Sequence, residues 1–384
     1  MLTRIITEGR TKVEVPVPEE SSSFPPSSAA VFYNPAMQSN RDMTVAAIAC
    51  FSKSSPDHTY LDALSASGIR GLRIANEVGL STTMNDWDEI AFDLITKNIA
   101  LNNLSNCTAI KRNANMVMLD SSFDIIDLDP FGSPVPFLDA ACRSVKHLLC
   151  ITATDTAPLC GAHGKAGIRN YAAVPLKTEY YPEMGVRILM GAVARTLARY
   201  DKAMVPLLSI ARAHYVRLFA SVKKGISEAD DCLKSMGFIS HCFGCGARIW
   251  KYGLAVHMEE KCPACGKTAS PAGPLWLGRL HDRSFCDEVI EEVKKREFKE
   301  IEKLITSCRN ELDIPMHYDY HKISRSLGIT AMPTDELILT LRDKGYQASR
   351  THFSGISFKT DAGMEEIRKI VIALSQKRDL RSIA

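Results

Sequence analysis

The residues best placed to do chemistry lie in the stretch FDIIDLDPFG, residues 123–132 of this 384-residue chain. An apolar run that predicts a buried strand ends there in Asp129, Pro130 and Phe131. The Asp129 carboxylate and the Pro130 carbonyl could each accept an N–H hydrogen bond from a planar aromatic amine, and the carboxylate could then take the proton. Phe131 could stack on the ring, for ~1–3 kcal/mol. Because Asp and Pro are common turn residues, a simple strand end is the alternative interpretation.

Upstream stretches predict a site for a nucleoside cofactor. LDALSASGIRG ends an apolar run in small residues, 65–68, where a ligand could approach the backbone. The next strand-like stretch, about 20 residues on, ends in Asp86, which could accept hydrogen bonds from both ribose hydroxyls. Asp88 is the better N-cap for the helix that follows. After a third strand, Asn113 and Ala114 stand where an amide could meet the adenine edge, and the missing three-glycine fingerprint disfavours NAD.

Four of the 12 cysteines are clustered as two CxxC pairs, each followed by glycine. Cys242 and Cys245 form the first pair, and Cys262 and Cys265 form the second, 16 residues further on. This spacing predicts a zinc ribbon whose four thiolates fill a tetrahedral structural site. A redox CxxC is the alternative, although two pairs at this spacing favour zinc. For the scattered cysteines we expect buried, reduced thiols.

Short apolar runs alternate with amphipathic stretches between residues 60 and 155. This alternation predicts an α/β fold, with a Rossmann-like parallel sheet covered by helices on both faces. Residues 185–200 predict an amphipathic helix, residues 207–222 have strand character in their centre, and residues 285–310 predict one charged helix. The order of the remaining elements, helix, helix and short strands, indicates a winged-helix-like module.

The net charge of +3, from 47 basic and 44 acidic residues, neither demands nor excludes a nucleic-acid partner. A local basic patch remains open, because CGAHGKAGIRNY carries His163, Lys165 and Arg169 among glycines. That stretch predicts either a phosphate-contacting loop or a solvated one. We find no apolar run of membrane-spanning length and no hydrophobic leader, and so expect a cytoplasmic protein without a membrane partner. Residues 16–30, rich in Pro and Ser, predict a loop.

Taken together, the motifs resemble those of the tRNA (guanine-N2)-dimethyltransferase family, whose usual target is guanosine 26. The resemblance runs through nearly the whole chain and rests on the cysteine pairs and on EGRTKVEVP, FYNPAMQSNRD, LDALSASGIRG, IDLDPFGSP, CGAHGKAGIRNY, TEYYPEMGVRIL, ARAHYVR, TDELILTLRDKGY and SRTHF. It implies a class I methyltransferase sheet that uses S-adenosylmethionine, and a C-terminal domain that helps to hold tRNA. It indicates no obligate protein partner.

The resemblance also implies roles for individual residues. Asp129 would be the catalytic acid/base, and Phe32 and Phe131 would sandwich the guanine. The implied cofactor contacts are Arg41, Arg70, Asp86, Asn113 and Ala114. The family commonly has Asp at the position of Asn113, which leaves the adenine contact open. Surface salt bridges for the two arginines and core packing for Phe32 are the alternative interpretations.

We expect three regions: a methyltransferase domain over residues 1–235, a zinc ribbon over 236–280, and a tRNA-binding, winged-helix-like domain over 281–384. Two other functions stay open. One is methylation of an adenine or cytosine amine in DNA, since the same chemistry applies. The other is a non-enzymatic RNA-binding protein built on an inactive scaffold.

Overall fold

A computed structural model describes the backbone of residues 2–17, 31–212 and 214–383, and side chains up to residue 376. The prediction of a loop over residues 16–30 therefore falls almost entirely outside the described residues. The strands are β1 (Thr3–Glu8), β2 (Thr11–Pro16), β3 (Thr59–Asp62), β4 (Ser81–Asp86), β5 (Cys107–Lys111), β6 (Phe123–Leu128), β7 (Val145–Ala153), β8 (Lys202–Arg212), β9 (Tyr215–Lys224), β10 (Met236–His241), β11 (Arg248–Tyr252), β12 (Ser270–Trp276), β13 (Tyr318–Asp319), β14 (Ala348–Arg350) and β15 (Ser357–Thr360). The helices are α1 (Gln38–Phe51), α2 (Ile69–Glu77), α3 (Glu89–Leu101), α4 (Ala114–Asp120), α5 (Val135–Ser144), α6 (Thr156–Leu159), α7 (Gly164–Tyr171), α8 (Tyr181–Ala198), α9 (Ile226–Leu233), α10 (Arg283–Lys295), α11 (Lys299–Asn310), α12 (Tyr320–Ser326), α13 (Thr334–Asp343) and α14 (Met364–Ile383).

The largest sheet has seven strands in the order β5-β4-β3-β6-β7-β9-β8. Strands β3 to β7 run parallel, whereas β9 runs antiparallel to both of its neighbours. The order reverses between β3 and β6, and in such sheets ligands bind at this switch point, beyond the carboxyl ends of the strands. The predicted α/β fold class is confirmed.

Burial explains why the central strands read as continuous apolar runs. Residues 125–128 of β6 are fully buried, because helices cover both faces of a parallel sheet. Helix α8 lies against β8 and β12, and its residues 183–194 are buried all round. A helix over residues 185–200 was predicted correctly in position. It has no solvent-facing side over most of its length, and so it is more deeply packed than an amphipathic surface helix.

Three local predictions need correction. Residues 207–222 belong to a hairpin of two long strands, β8 and β9. The charged stretch 285–310 forms two helices, because the chain turns at Glu297, which takes a φ of +60° between α10 and α11. The glycine-rich stretch that predicted a loop is largely helical, as α7.

The C-terminal half contains two small antiparallel sheets. Strands β11-β10-β12 form the sheet that carries the cysteine pairs. Further on, α11, β13, α12, α13, β14 and β15 follow one another, with the strands in the order β13-β15-β14. The winged-helix interpretation and the three domain boundaries stay predictions. No helix in the described part of the chain is long and apolar enough to cross a membrane.

A buried charge cluster joins the C-terminal strands to α8. The Nζ atom of Lys359, on β15, lies 3.0 Å from Glu183 Oε1 and 2.8 Å from Glu311 Oε1. Glu183 also accepts hydrogen bonds from the backbone amides of Met316 and His317, both at 2.9 Å. Burial alone would raise the pKa of both carboxyls, but the charge of Lys359 and hydrogen bonds from neighbouring histidines hold each pKa below its usual value.

Acidification is expected to destabilise the protein through these carboxylates. Because the folded pKa values of Glu183 and Glu311 are depressed, their contribution is complete above the unfolded pKa of about 4.3. It is lost as the pH falls from there through the lower folded values. The urea midpoint, measured between pH 7 and pH 3, should therefore drop at the acid end. Glu311→Gln should have a lower urea midpoint than the wild type at pH 7, but its midpoint should fall less on acidification. The exposed Glu365→Gln should follow the wild-type profile. A wild-type midpoint that does not change with pH would contradict the assignment.

Candidate active site and metal centre

Three carboxylates lie at the carboxyl edge of the sheet, around the switch point. Asp62 ends β3, Asp86 ends the neighbouring β4, and Asp129 directly follows β6. Since β3 pairs with both β4 and β6, the topology brings these residues to one edge although they are far apart in the sequence. The edge can therefore bind a polar ligand across the ends of adjacent strands.

Asp129 is paired with Arg70, which lies in the first turn of α2. The Nη1 atom of Arg70 donates to Asn40 Oδ1 at 3.0 Å and to Thr44 Oγ1 at 2.7 Å, so the buried guanidinium is fixed from two sides. Burial would raise the pKa of Asp129, but the charges of Arg70 and Arg217 outweigh it and lower this pKa. Asp129 is thus an ionised hydrogen-bond acceptor at neutral pH.

A second buried ion pair lies next to the first. Arg217, on β9, donates two hydrogen bonds to Asp127, at 2.7 and 2.6 Å, and the Tyr60 hydroxyl donates a third at 2.9 Å. Among the residues that the structure describes, the Asp62 carboxylate accepts one hydrogen bond, from the backbone amide of Gly71 at 3.0 Å. Burial and the nearby charge of Asp127 raise the pKa of Asp62 to about 7. The two arginines therefore compensate Asp127 and Asp129, while Asp62 titrates near neutral pH.

The loop that follows Asp129 is held by hydrogen bonds on both sides. Gly132 takes a φ of +80°, which a side chain would disfavour, and its amide donates to Thr154 Oγ1 at 2.7 Å. The Ser133 hydroxyl lies 3.0 Å from the Tyr171 hydroxyl, which donates to Asp155 Oδ1 at 2.6 Å. These contacts fix the backbone that carries the preceding Pro130 carbonyl and Phe131 relative to the sheet.

Two aromatic rings meet at the mouth of the site. Phe32 and Phe131 contact each other edge to face, with ring centroids 4.3 Å apart and planes at 86°. Phe131 is 60% exposed. The structure thus brings together the two residues expected to sandwich a base, but leaves no gap between their rings. A sandwich requires at least one ring to turn.

The remaining polar residues of the edge occupy helix starts and turns. Asp86 accepts the backbone amides of Ala66 at 2.8 Å and Asp88 at 3.1 Å, and Asp88 caps α3 as predicted. Asn113 caps α4, whose first residue is the buried Ala114. Each oxygen of Asp86 keeps lone-pair capacity for a further donor. The cofactor contacts of these residues stay predictions.

Arg41 lies in a different arrangement from Arg70. Its guanidinium forms a bidentate ion pair with Glu8 of β1, at 2.7 and 2.6 Å, and donates to the Asn34 carbonyl at 3.2 Å. Glu8 is also bound by Arg73, at 3.0 Å. Arg41 therefore ties the N-terminal hairpin to α1, inside the protein rather than on its surface, and its cofactor contact stays a prediction.

The four clustered cysteines converge as the spacing predicts. The Sγ atoms of Cys242 and Cys265 are 3.5 Å apart, those of Cys245 and Cys262 are 3.6 Å apart, and all four lie within 4.8 Å of one another. Zinc–sulfur bonds of about 2.3 Å in a tetrahedron place sulfurs ~3.8 Å apart. The group can therefore hold a structural zinc ion, with all four positions filled by protein.

Several site residues escaped the sequence analysis. They are Asn40, Thr44, Asp62, Asp127 and Arg217. Three of them are charged residues inside otherwise apolar strand segments, TYLD, FDIIDL and YVRLF. A charge in a strand that is buried on both faces needs a partner, and that signal could have marked them.

The sheet order and the carboxylates at its switch point define a class I, Rossmann-like methyltransferase fold. A family model for N2,N2-dimethylguanosine tRNA methyltransferase matches residues 9–372. The chain belongs to this family.

Similarity to related proteins extends over nearly the full length of the chain. The tRNA (guanine(26)-N(2))-dimethyltransferase of Methanosarcina mazei is 54% identical, over 98% of this chain and all of the relative. The protein of that name from Haloarcula marismortui is 45% identical, over 95% of this chain and 98% of its own length. The structure of Trm1 from Pyrococcus horikoshii in complex with S-adenosyl-L-methionine superposes with a TM-score of 0.85 at 36% identity, covering 96% of this chain and 99% of that one.

Proposed function

We propose that this protein transfers one or two methyl groups from S-adenosylmethionine to the exocyclic N2 of guanosine 26 in tRNA. The observation that carries the proposal is the full-length match to relatives named for this reaction, in a chain that keeps an ionised Asp129 at its switch point. The relatives' names favour tRNA over DNA as the substrate. We place the reaction in the cytoplasm, and it requires no protein partner.

The cofactor fits the edge formed by β3, β4 and β6. Asp86 would accept hydrogen bonds from the ribose hydroxyls through its free lone pairs. Arg70, in the first turn of α2, would meet the methionine carboxylate, and Asn113 and Ala114 would meet the adenine. When bound, the cofactor supplies an electrophilic methyl group on a sulfonium.

Asp129 would orient and deprotonate the amine. The lone pair of the guanine amine is delocalised into the ring, so the amine is a poor nucleophile in its planar form. An N–H hydrogen bond to the Asp129 carboxylate, and a second to the Pro130 carbonyl, would favour a pyramidal nitrogen. The methylated nitrogen is strongly acidic, so even a carboxylate of lowered pKa can take its proton. Alignment of the amine with the methyl group supplies much of the remaining acceleration.

The aromatic pair would hold the base. Phe131 is exposed, and stacking on it would contribute ~1–3 kcal/mol. Phe32 would turn away from its edge-to-face contact to cover the other face. A guanosine held within tRNA must leave its stack to reach this pocket.

Helix α7 is suited to contact tRNA phosphates near the pocket. His163, at its N-terminal boundary, and Lys165 and Arg169, within it, are exposed. Tyr171, at the end of the same helix, binds Ser133 of the active-site loop. This replaces the predicted phosphate-contacting loop by a helix. The C-terminal module would supply further contacts to tRNA.

Nucleoside mass spectrometry tests the proposed function. Unmodified tRNA is incubated with the protein and S-adenosylmethionine, digested, and compared with a transcript in which guanosine 26 is replaced by adenosine. We expect N2-methylguanosine and N2,N2-dimethylguanosine from the first transcript and neither from the second. Methylation of duplex DNA in place of tRNA would overturn the proposal. Absence of both methyl transfer and cofactor binding would favour a non-enzymatic RNA-binding protein.

Replacing Asp86 by alanine should weaken cofactor binding. Hydrogen bonds to a charged group are worth ~1.5–3 kcal/mol, so the Kd measured by calorimetry should rise about 10- to 100-fold. The matched control is Asp88→Ala, two residues away. It removes the cap of α3, for about 1 kcal/mol of stability, and should leave the Kd unchanged. Equal Kd values for Asp86→Ala and the wild type would refute the ribose contact.

A further inference from the structure

A second group of metal-ligating side chains lies away from the ribbon and the active site. His281 precedes α10, Cys308 lies in the last turn of α11, and His352 follows β14. A ring nitrogen of each histidine and the Cys308 Sγ atom lie within 4.8 Å of one another. His281 and Cys308 are 4% and 1% exposed, and the His352 side chain is fully buried. Three separate segments thus bring three ligand atoms to one interior point.

The ring nitrogens available for a metal are unsatisfied. Among the described residues, the Nε2 atoms of His281 and His352 are buried without a hydrogen-bond partner. The nearest carboxylate oxygen to His281 Nε2, Oε2 of Glu311, is 4.0 Å away, beyond hydrogen-bond distance. A buried polar atom left unpaired costs ~1–3 kcal/mol. Two such atoms beside a thiol indicate that something else binds there.

The opposite edge of the His352 ring is already held, and that of the His281 ring is only weakly contacted. His352 Nδ1 lies 2.7 Å from Glu311 Oε2, the carboxylate–histidine arrangement that turns Nε2 toward a metal. The Ser209 amide approaches His281 Nδ1 at 3.5 Å, too long to fix the tautomer of that ring. Lys359, 2.8 Å from the other Glu311 oxygen, keeps that carboxylate in place.

We propose that His281, Cys308 and His352 hold a second zinc ion, distinct from the ion of the ribbon. Imidazole and thiolate are the ligands that zinc prefers. Cys308 would bind as a thiolate, its proton passing to solvent as the metal enters during folding. A water molecule would complete the tetrahedron. Since the site is buried, the ion is structural, and it fastens α11 and the C-terminal strands to the segment that leads into α10.

Metal stoichiometry of the full chain, purified without chelators, tests the proposal. We expect two zinc ions per chain by mass spectrometry, one in Cys308→Ala, and one in the ribbon variant Cys262→Ala/Cys265→Ala. The matched control is Cys286→Ala, an equally buried cysteine in the neighbouring helix α10 that lies outside both clusters; it should keep two. Two ions in Cys308→Ala would overturn the proposal.

X-ray absorption at the zinc edge of the wild-type protein gives a second readout that needs no variant to fold. The ribbon alone would show only sulfur neighbours near 2.3 Å, whereas the second site adds nitrogen neighbours at about 2.0–2.1 Å. A mixed sulfur and imidazole shell supports the proposal. A sulfur-only shell with one zinc per chain overturns it and leaves the proposed methyl transfer untouched.

Discussion

Replacing Asp129 by asparagine is expected to slow methyl transfer by orders of magnitude while cofactor binding persists. The amide keeps the size of the carboxylate and can still accept a hydrogen bond from Arg70, so the fold of the site is preserved. It loses the negative charge that orients the amine and accepts its proton. General-base contributions are typically 10²–10⁴-fold, and we expect kcat to fall by about that factor. The measurement is the initial rate of methyl incorporation into unmodified tRNA at saturating substrates.

The control for this experiment is Asp139→Asn. Asp139 is exposed and pairs with Arg199 on the surface, so its loss should leave kcat unchanged. Calorimetry should give Asp129→Asn a cofactor Kd close to that of the wild type. If the variant instead methylates guanosine at the wild-type rate, Asp129 is not the base, whatever its position in the structure.

The features of the fold and the site that the sequence predicts are encoded in short contiguous motifs. Asp129 ends an apolar run whose length and composition indicate a buried strand, and a strand end in a parallel sheet is where ligands bind. The cysteine pairs carry their own geometry, because each CxxC fixes two thiolates in one turn of chain. Asp88 was identified as a cap from its place before an apolar helix, and the structure shows that cap.

The features that the sequence does not predict depend mainly on contacts between residues far apart in the chain. Arg217 reaches Asp127 across 90 positions of sequence, and the pairing depends on β9 inserting between β7 and β8. No local pattern encodes which strand will be the neighbour. The sequence also does not predict the break between α10 and α11, because Glu297 lies at the turn and glutamate is not a typical turn residue.

The conformations of side chains at the site are a further feature that the sequence does not predict. The family resemblance implied that Phe32 and Phe131 sandwich a base, and in the structure the rings lie edge to face against each other. Arg41, expected beside the cofactor, forms an ion pair with Glu8, and its cofactor contact stays a prediction. In both cases a nearby side chain is the available partner, and which contact forms depends on packing that a sequence pattern does not describe.

Lys359→Met is expected to destabilise the protein strongly. Methionine fills the space of the lysine but leaves Glu183 and Glu311 buried without their shared cation, and breaking a buried pair costs about 3–5 kcal/mol. Urea unfolding at pH 7 should show this as a lower midpoint at unchanged slope. The exposed pair of Lys369 and Glu365 offers the control, since Lys369→Met should cost less than about 1 kcal/mol. Glu183 keeps its buried ion pair with Arg187 at 2.8 Å, so the uncompensated charge is mainly that of Glu311. Because protonation relieves that charge, the deficit of Lys359→Met should shrink as the pH falls toward 4. A deficit independent of pH would mean that lost packing, not charge, is its cause.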